Sequence, residues 1–131
     1  MSDYTKITEK LNRVFSKYIR MRDANQWGNI VCPICAVIDY RWQDMQCLHY
    51  NKRDHHITAW DEFNAIGGCA ICNQKMEHND EVKDRFTQVI RDRFGAGNLN
   101  RLHTLNGQTI KYMRNDLLFL IQYYQQKIKD L

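Results

Sequence analysis

The chain has 131 residues, 44% of them hydrophobic and 26% charged, and its 19 Lys and Arg exceed its 15 Asp and Glu to give a formal net charge of +4. That balance suits a folded domain burying roughly two-thirds of its unfolded surface, and it excludes the low hydrophobicity and high charge of a disordered chain. Without an apolar run of about 18 residues or a signal-like stretch in Met1 to Lys10, we expect a cytoplasmic protein with no membrane partner.

Ile7, Leu11, Val14, Phe15, Tyr18 and Ile19 recur at helical spacing, which predicts one amphipathic helix from Thr5 to about Asn25. Its other face carries Lys6, Lys10, Arg13, Lys17, Arg20 and Arg22. Such a face is either simply solvated or a phosphate-contacting surface, and spacing does not separate the two. The mild positive charge favours an anionic partner such as nucleic acid without requiring one.

From Trp27 to Cys72 the helical period disappears. Short alternating runs, Ile38 to Trp42 and Met45 to Tyr50, predict a loop-rich β segment in which Gly67-Gly68 reads as a break. Helical spacing returns with Val82, Phe86, Val89, Ile90 and Phe94 and closes at Gly95 and Gly97. Leu99, Leu102 and Leu105 predict a short helix ended by Asn106-Gly107. A last helix runs through Leu117, Leu120, Ile121, Tyr124, Ile128 and Leu131, with Asn115 or Asp116 at its start. No repeat or linker interrupts the chain. The expectation is a single α+β domain with an N-terminal helix (1–26), a central core (27–94) and C-terminal helices (95–131).

Four of the five cysteines form two pairs, Cys32-Pro33-Ile34-Cys35 and Cys69-Ala70-Ile71-Cys72. A two-residue turn lets both thiolates of a pair face one ion at about 2.3 Å, so two pairs make a closed tetrahedral zinc site. Redox chemistry, the other use of this motif, expects a single pair opening a helix after a strand in a βαβ context, which the chain does not offer. Cys47 reads as a small core residue. The 33 residues between Cys35 and Cys69 must form a structure of their own on the clamp.

That intervening segment holds Gln46-Cys47-Leu48-His49-Tyr50 and Trp60-Asp61-Glu62-Phe63-Asn64, and Asn73 directly follows the second pair. With the opening Phe15-Ser16-Lys17-Tyr18-Ile19-Arg20 and the closing Tyr123-Tyr124 to Leu131, this order of blocks resembles the HNH (ββα-metal) nucleases. Within them it is similar to the phage NinG (Rap) recombination endonucleases, with a more distant likeness to phage recombination endonuclease VII. The resemblance covers nearly the whole chain. It implies a metal-dependent DNA endonuclease acting on branched recombination DNA in a phage or prophage setting, with His49 as general base, Asn64 orienting it and Asn73 as ligand of a catalytic Mg²⁺ or Mn²⁺.

The chemistry asks for such groups, because phosphodiester hydrolysis needs a proton acceptor for water and a cation beside the phosphate. Many relatives of this type carry an acidic ligand just before the histidine, where this chain has Leu48. Where they tend to carry Gly-Asn it has His78-Asn79, so His78 is a candidate extra ligand. Lys52 and Arg53 are expected to join Lys10, Arg13 and Lys17 in contacting DNA phosphates. His55-His56 is read as a loop beside the site, His103 as structural, and Asp61 and Glu62 as capping groups or substitutes for the missing carboxylate. Two cuts per branch would suit a homodimer. The alternative is a catalytically inactive zinc module that binds DNA or a phage protein partner.

Overall fold

The computed structural model describes residues 1–54 and 57–131; His55 and His56, read above as a loop beside the site, lie outside the described residues. The first helix, α1, spans Asp3–Asp23, and the Ser2 side chain caps it by accepting the Thr5 N–H. It buries Ile7, Leu11, Phe15, Tyr18 and Ile19, the stripe that the spacing predicts. It stops two residues before the expected Asn25. The Asn25 side chain accepts the N–H groups of Trp27 and Asn29, a local turn that competes with further helix.

Two short antiparallel pairs follow. Strand β1 (Asn29–Val31) pairs with β2 (Asp39–Arg41), and β3 (Gln46–His49) pairs with β4 (Ala65–Gly68), so that His49 faces Ala65 and Gln46 faces Gly68. A six-residue helix, α2 (Ala70–Lys75), comes directly after β4. Three helices complete the chain: α3 (Asp80–Phe94), α4 (Ala96–Leu105) and α5 (Arg114–Lys129). Helices with two small sheets make an α+β fold.

The sequence reading of Gly67-Gly68 as a break is corrected by the structure, which places both inside β4. Their role is close approach. A Cβ on Gly67 would lie 2.6 Å from Ile30 Cδ1, and one on Gly68 would lie 2.9 Å from Leu48 Cδ2. A larger residue at either position would force the Ile30 or Leu48 side chain to shift.

The hairpin β3–β4 sits between two apolar clusters, because successive strand residues point to opposite faces. Leu48, Tyr50 and Ile66 join Ile30, Cys32, Phe86, Ile90, Leu99 and Leu102 on one side. Ala65, with Cys47 packed against it, joins Phe15, Leu117, Ile121 and Tyr124 on the other, where α1 and α5 lie against each other. A polar latch ties α1 to β4. The Asp23 carboxylate accepts the Gly67 N–H at 2.7 Å, while Arg22 donates to the carbonyls of Glu62 and Ala65 at 2.6 and 2.8 Å.

Candidate metal centre and the loop around His49

The four paired cysteines come from two local structures. Cys32 follows β1, and the turn after it is closed by the Ala36 N–H on the Cys32 carbonyl and the Cys32 N–H on the Ile38 carbonyl, each at 2.8 Å. Ala36 takes a left-handed conformation there, with φ of 60°, a position that glycine occupies without strain. Cys69 caps the start of α2, where its Sγ accepts the Cys72 N–H at 3.4 Å. The fold thereby gathers all four sulfurs within 4.8 Å of one another, with Cys35 and Cys69 at 4.0 Å.

Sulfurs on a tetrahedron about 2.3 Å from zinc are separated by about 3.8 Å, so the donor set and its spacing fit a metal ion such as zinc. Burial raises Cys69 and Cys72 above the ordinary thiol range. At Cys35 burial also pushes upward, but hydrogen bonds from the Ile38 and Val37 backbones and the neighbouring thiols outweigh it and bring that group down to about 7. Metal binding would override these differences, since coordinating thiols are deprotonated outright. Cys47 stands apart on the α1 side of the hairpin, its thiol raised to about 12 by burial.

His49 ends β3. Its Nε2 lies 3.0 Å from the Ala59 carbonyl, which can only accept, so Nε2 carries the proton and Nδ1 is left as an acceptor. The ring packs 5.7 Å from the Phe15 ring. Burial, reinforced by the Arg53 guanidinium, lowers the imidazole from 6.5 to about 4, with the Ala59 bond acting in the opposite sense. The imidazole is therefore neutral at physiological pH.

Asn64 makes no hydrogen bond to that ring. It is fully buried, and its Oδ1 accepts the Asn51 N–H at 2.8 Å while Nδ2 donates to the carbonyls of Asn51 and Thr58 at 3.0 and 3.1 Å. Since Thr58 precedes Ala59, Asn64 pins the loop that presents the carbonyl to His49. Asn51 extends the pin by donating to the Leu102 carbonyl. The sequence reading missed Asn51 and Ala59, because neither a lone asparagine nor a backbone carbonyl leaves a signal in a chain read without its contacts.

Neither candidate catalytic-metal ligand makes a hydrogen bond to His49 among the described residues. Asn73 donates from Nδ2 to Gln46 Oε1 at 2.7 Å, at the opposite end of β3, and strand alternation turns Gln46 to the other face from His49. His78 is exposed between α2 and α3, and Asn79 caps α3 by accepting the Val82 N–H. Leu48 is fully buried in the core. Among the described residues the four cysteines form the one grouping of three or more His, Cys, Asp and Glu side chains with ligating geometry. His49 belongs to no such grouping among the described residues.

Asp61 caps the turn Glu62–Asn64 by accepting the Phe63 N–H and pairs with Arg101 at 2.6 Å, while Glu62 accepts from Tyr123 and faces Lys127. The His103 Nε2 lies 2.9 Å from the Tyr50 hydroxyl. Lys10, Arg13 and Lys17 form an exposed stripe along α1. Lys52 faces Glu77 at 3.7 Å, and Arg53 lines a cleft together with Thr8 and Asn12. Thr8 and Asn12 lie about 160° round α1 from Lys10 at about 100° per residue, so Arg53 does not share the surface of the α1 stripe.

No helix among the described residues is long and apolar enough to cross a membrane. Comparison with protein-family models, curated proteins and solved structures yields no match.

Proposed function

We propose that the chain is a zinc-stapled, metal-dependent DNA endonuclease of the HNH type, with His49 as the base that takes a proton from the attacking water. The observation that carries this reading is the Nε2–H bond of His49 to the Ala59 carbonyl, which leaves a neutral Nδ1 free to accept a proton. Support also comes from the order of elements, in which two antiparallel strands lead into a helix whose start carries the second cysteine pair. Asn64 fits the orienting role at one remove, through the loop it holds. The resemblance to phage recombination nucleases supplies branched DNA as the substrate class and a bacterial cytoplasm as the setting.

Zinc held by Cys32, Cys35, Cys69 and Cys72 fixes the hairpin and α2 on β1. A divalent ion would supply charge stabilisation at the phosphate, with Asn73, now bonded to Gln46, and the exposed His78 as the residues that would hold it. One observation favours a second reading, a non-catalytic zinc module that binds DNA or a phage protein. Leu48, buried where many HNH proteins place an acidic ligand, offers no oxygen.

The test is to incubate zinc-loaded protein with a labelled four-way junction, a D-loop and plain duplex in Mg²⁺, Mn²⁺ or neither. The nuclease reading expects metal-dependent cleavage with the branched substrates preferred. Binding without cleavage under every condition would replace it with the non-catalytic module.

A further inference from the structure

A cleft of about 570 Å³ opens between α1, the loop joining β3 to β4 and the segment before α5. Its walls combine the rings of Tyr4, Trp60 and Tyr112 with the charged groups of Arg53, Lys111 and Asp54. The polar tips of all three rings are already bonded within the fold. Trp60 Nε1–H donates to Asn12 Oδ1 at 2.9 Å, the Tyr112 hydroxyl to the Ile57 carbonyl at 3.0 Å, and the Tyr4 hydroxyl to the Tyr112 carbonyl at 2.7 Å. Trp60 and Tyr112 meet edge to face at 4.9 Å.

The rings are thus held in place, and apolar ring surface beside two exposed cations is what the cleft offers a ligand. A flat π system joined to an anion satisfies both features. Its volume is that of a small-ligand site, and a duplex, whose bases are stacked inside, presents no base face to it. Ala59, whose carbonyl holds His49, also lines the cleft. A strand seated here would therefore run past the candidate base.

We propose that this cleft binds an unpaired nucleotide of a single-stranded segment, its base against Tyr4, Trp60 and Tyr112 and its phosphates toward Arg53 and Lys111. Asp54 is suited to accept from the amino or imino edge of the base and disfavours a phosphate on its own side. The inference rests on the nucleic-acid reading of the protein and narrows the substrate class to branches that carry an unpaired strand, such as flaps and displaced strands.

The test measures binding apart from cleavage. Zinc-loaded full chain carrying His49→Ala is titrated, without added Mg²⁺ or Mn²⁺, into labelled oligothymidylate and into a hairpin duplex of equal nucleotide number at one salt concentration. The expected result is about tenfold tighter binding of the single strand. Adding Tyr4→Ala with Lys111→Ala should remove about tenfold of that affinity while changing duplex binding much less, because stacking is available only to unpaired bases. Both substituted side chains are exposed, and unchanged circular dichroism confirms that the fold is kept.

Equal binding of the two DNAs, or equal losses for both in the double variant, would overturn the proposal. Single-strand preference without any cleavage by the unmutated protein keeps the cleft and removes the nuclease, whereas junction cleavage without single-strand preference does the reverse.

Discussion

His49 and Ala59 are joined by a hydrogen bond of 3.0 Å from the imidazole Nε2–H to the backbone carbonyl, across the loop that connects β3 to β4. The bond selects one tautomer and leaves Nδ1 as the acceptor. Its burial makes His49 a reporter of the folded state. Burial and Arg53 lower its pKa from 6.5 to about 4, so between those values the unfolded chain binds a proton that the folded chain refuses. This contribution to stability is complete above about pH 6.5 and is lost as the pH falls toward 4. The group should cost about 2 kcal/mol of stability at pH 5 relative to pH 7.5. In urea titrations of zinc-loaded protein, His49→Gln should flatten the pH dependence by that amount; identical slopes in the two proteins would show that His49 is not held neutral.

Asn64→Ala should destabilise the fold by about 3 kcal/mol, because it leaves the Asn51 N–H and the Asn51 and Thr58 carbonyls without their partner. Chemical denaturation gives this value directly. Asn64→Asp keeps the acceptor for Asn51 but loses both donated bonds and buries a charge, so it should not rescue the fold. A loss below about 0.5 kcal/mol for either variant, the scale of an ordinary surface substitution, would mean that the loop is not pinned there.

Gly67→Ala should cost about 1–3 kcal/mol through the clash with Ile30 Cδ1 at 2.6 Å. Ile30→Val removes that methyl group and should recover part of the loss, so the double variant is more stable than the sum of the two single changes predicts. Strict additivity of the two denaturation free energies would place the strain elsewhere.

The cysteine clamp predicts one equivalent of zinc per chain and strong dependence of folding on it. Structural zinc sites contribute on the order of 10 kcal/mol at neutral pH, so a chelator or Cys69→Ser should abolish the cooperative melting of the hairpin, β1 and α2. Metal analysis combined with near-ultraviolet circular dichroism, to which Trp42, packed against the apolar cluster that includes Cys32, Cys69 and Cys72, contributes, follows both changes. Full retention of the melting transition in Cys69→Ser would remove metal from the account.

The sequence disclosed the parts of this molecule that repeat or pair over short distances. The cysteine spacing led to the cluster, and the 3.6-residue period located α1, α3, α4 and α5, where a stripe of apolar side chains meets a core. Spacing was silent on β4 and α2, for which only the resemblance to ββα-metal nucleases implied a hairpin and a following helix. Ala65–Gly68 is buried at every position and so shows no alternation, and the six residues of α2 are too few to display a period. The Asn64–Asn51–Thr58 pin and the cleft were invisible for a different reason. Their members are brought together only by the tertiary fold, the cleft residues from positions as far apart as Tyr4 and Tyr112.

The most direct test of the central claim is the single-turnover cleavage rate of a labelled branched DNA by zinc-loaded protein and by His49→Ala, with affinity for the same DNA measured in parallel. A positioned general base contributes about 10²- to 10⁴-fold, so the variant should lose at least a hundredfold in rate while its affinity changes less than threefold. A variant that cuts as fast as the unmutated protein, or an unmutated protein that binds and never cuts, would contradict the assignment of His49.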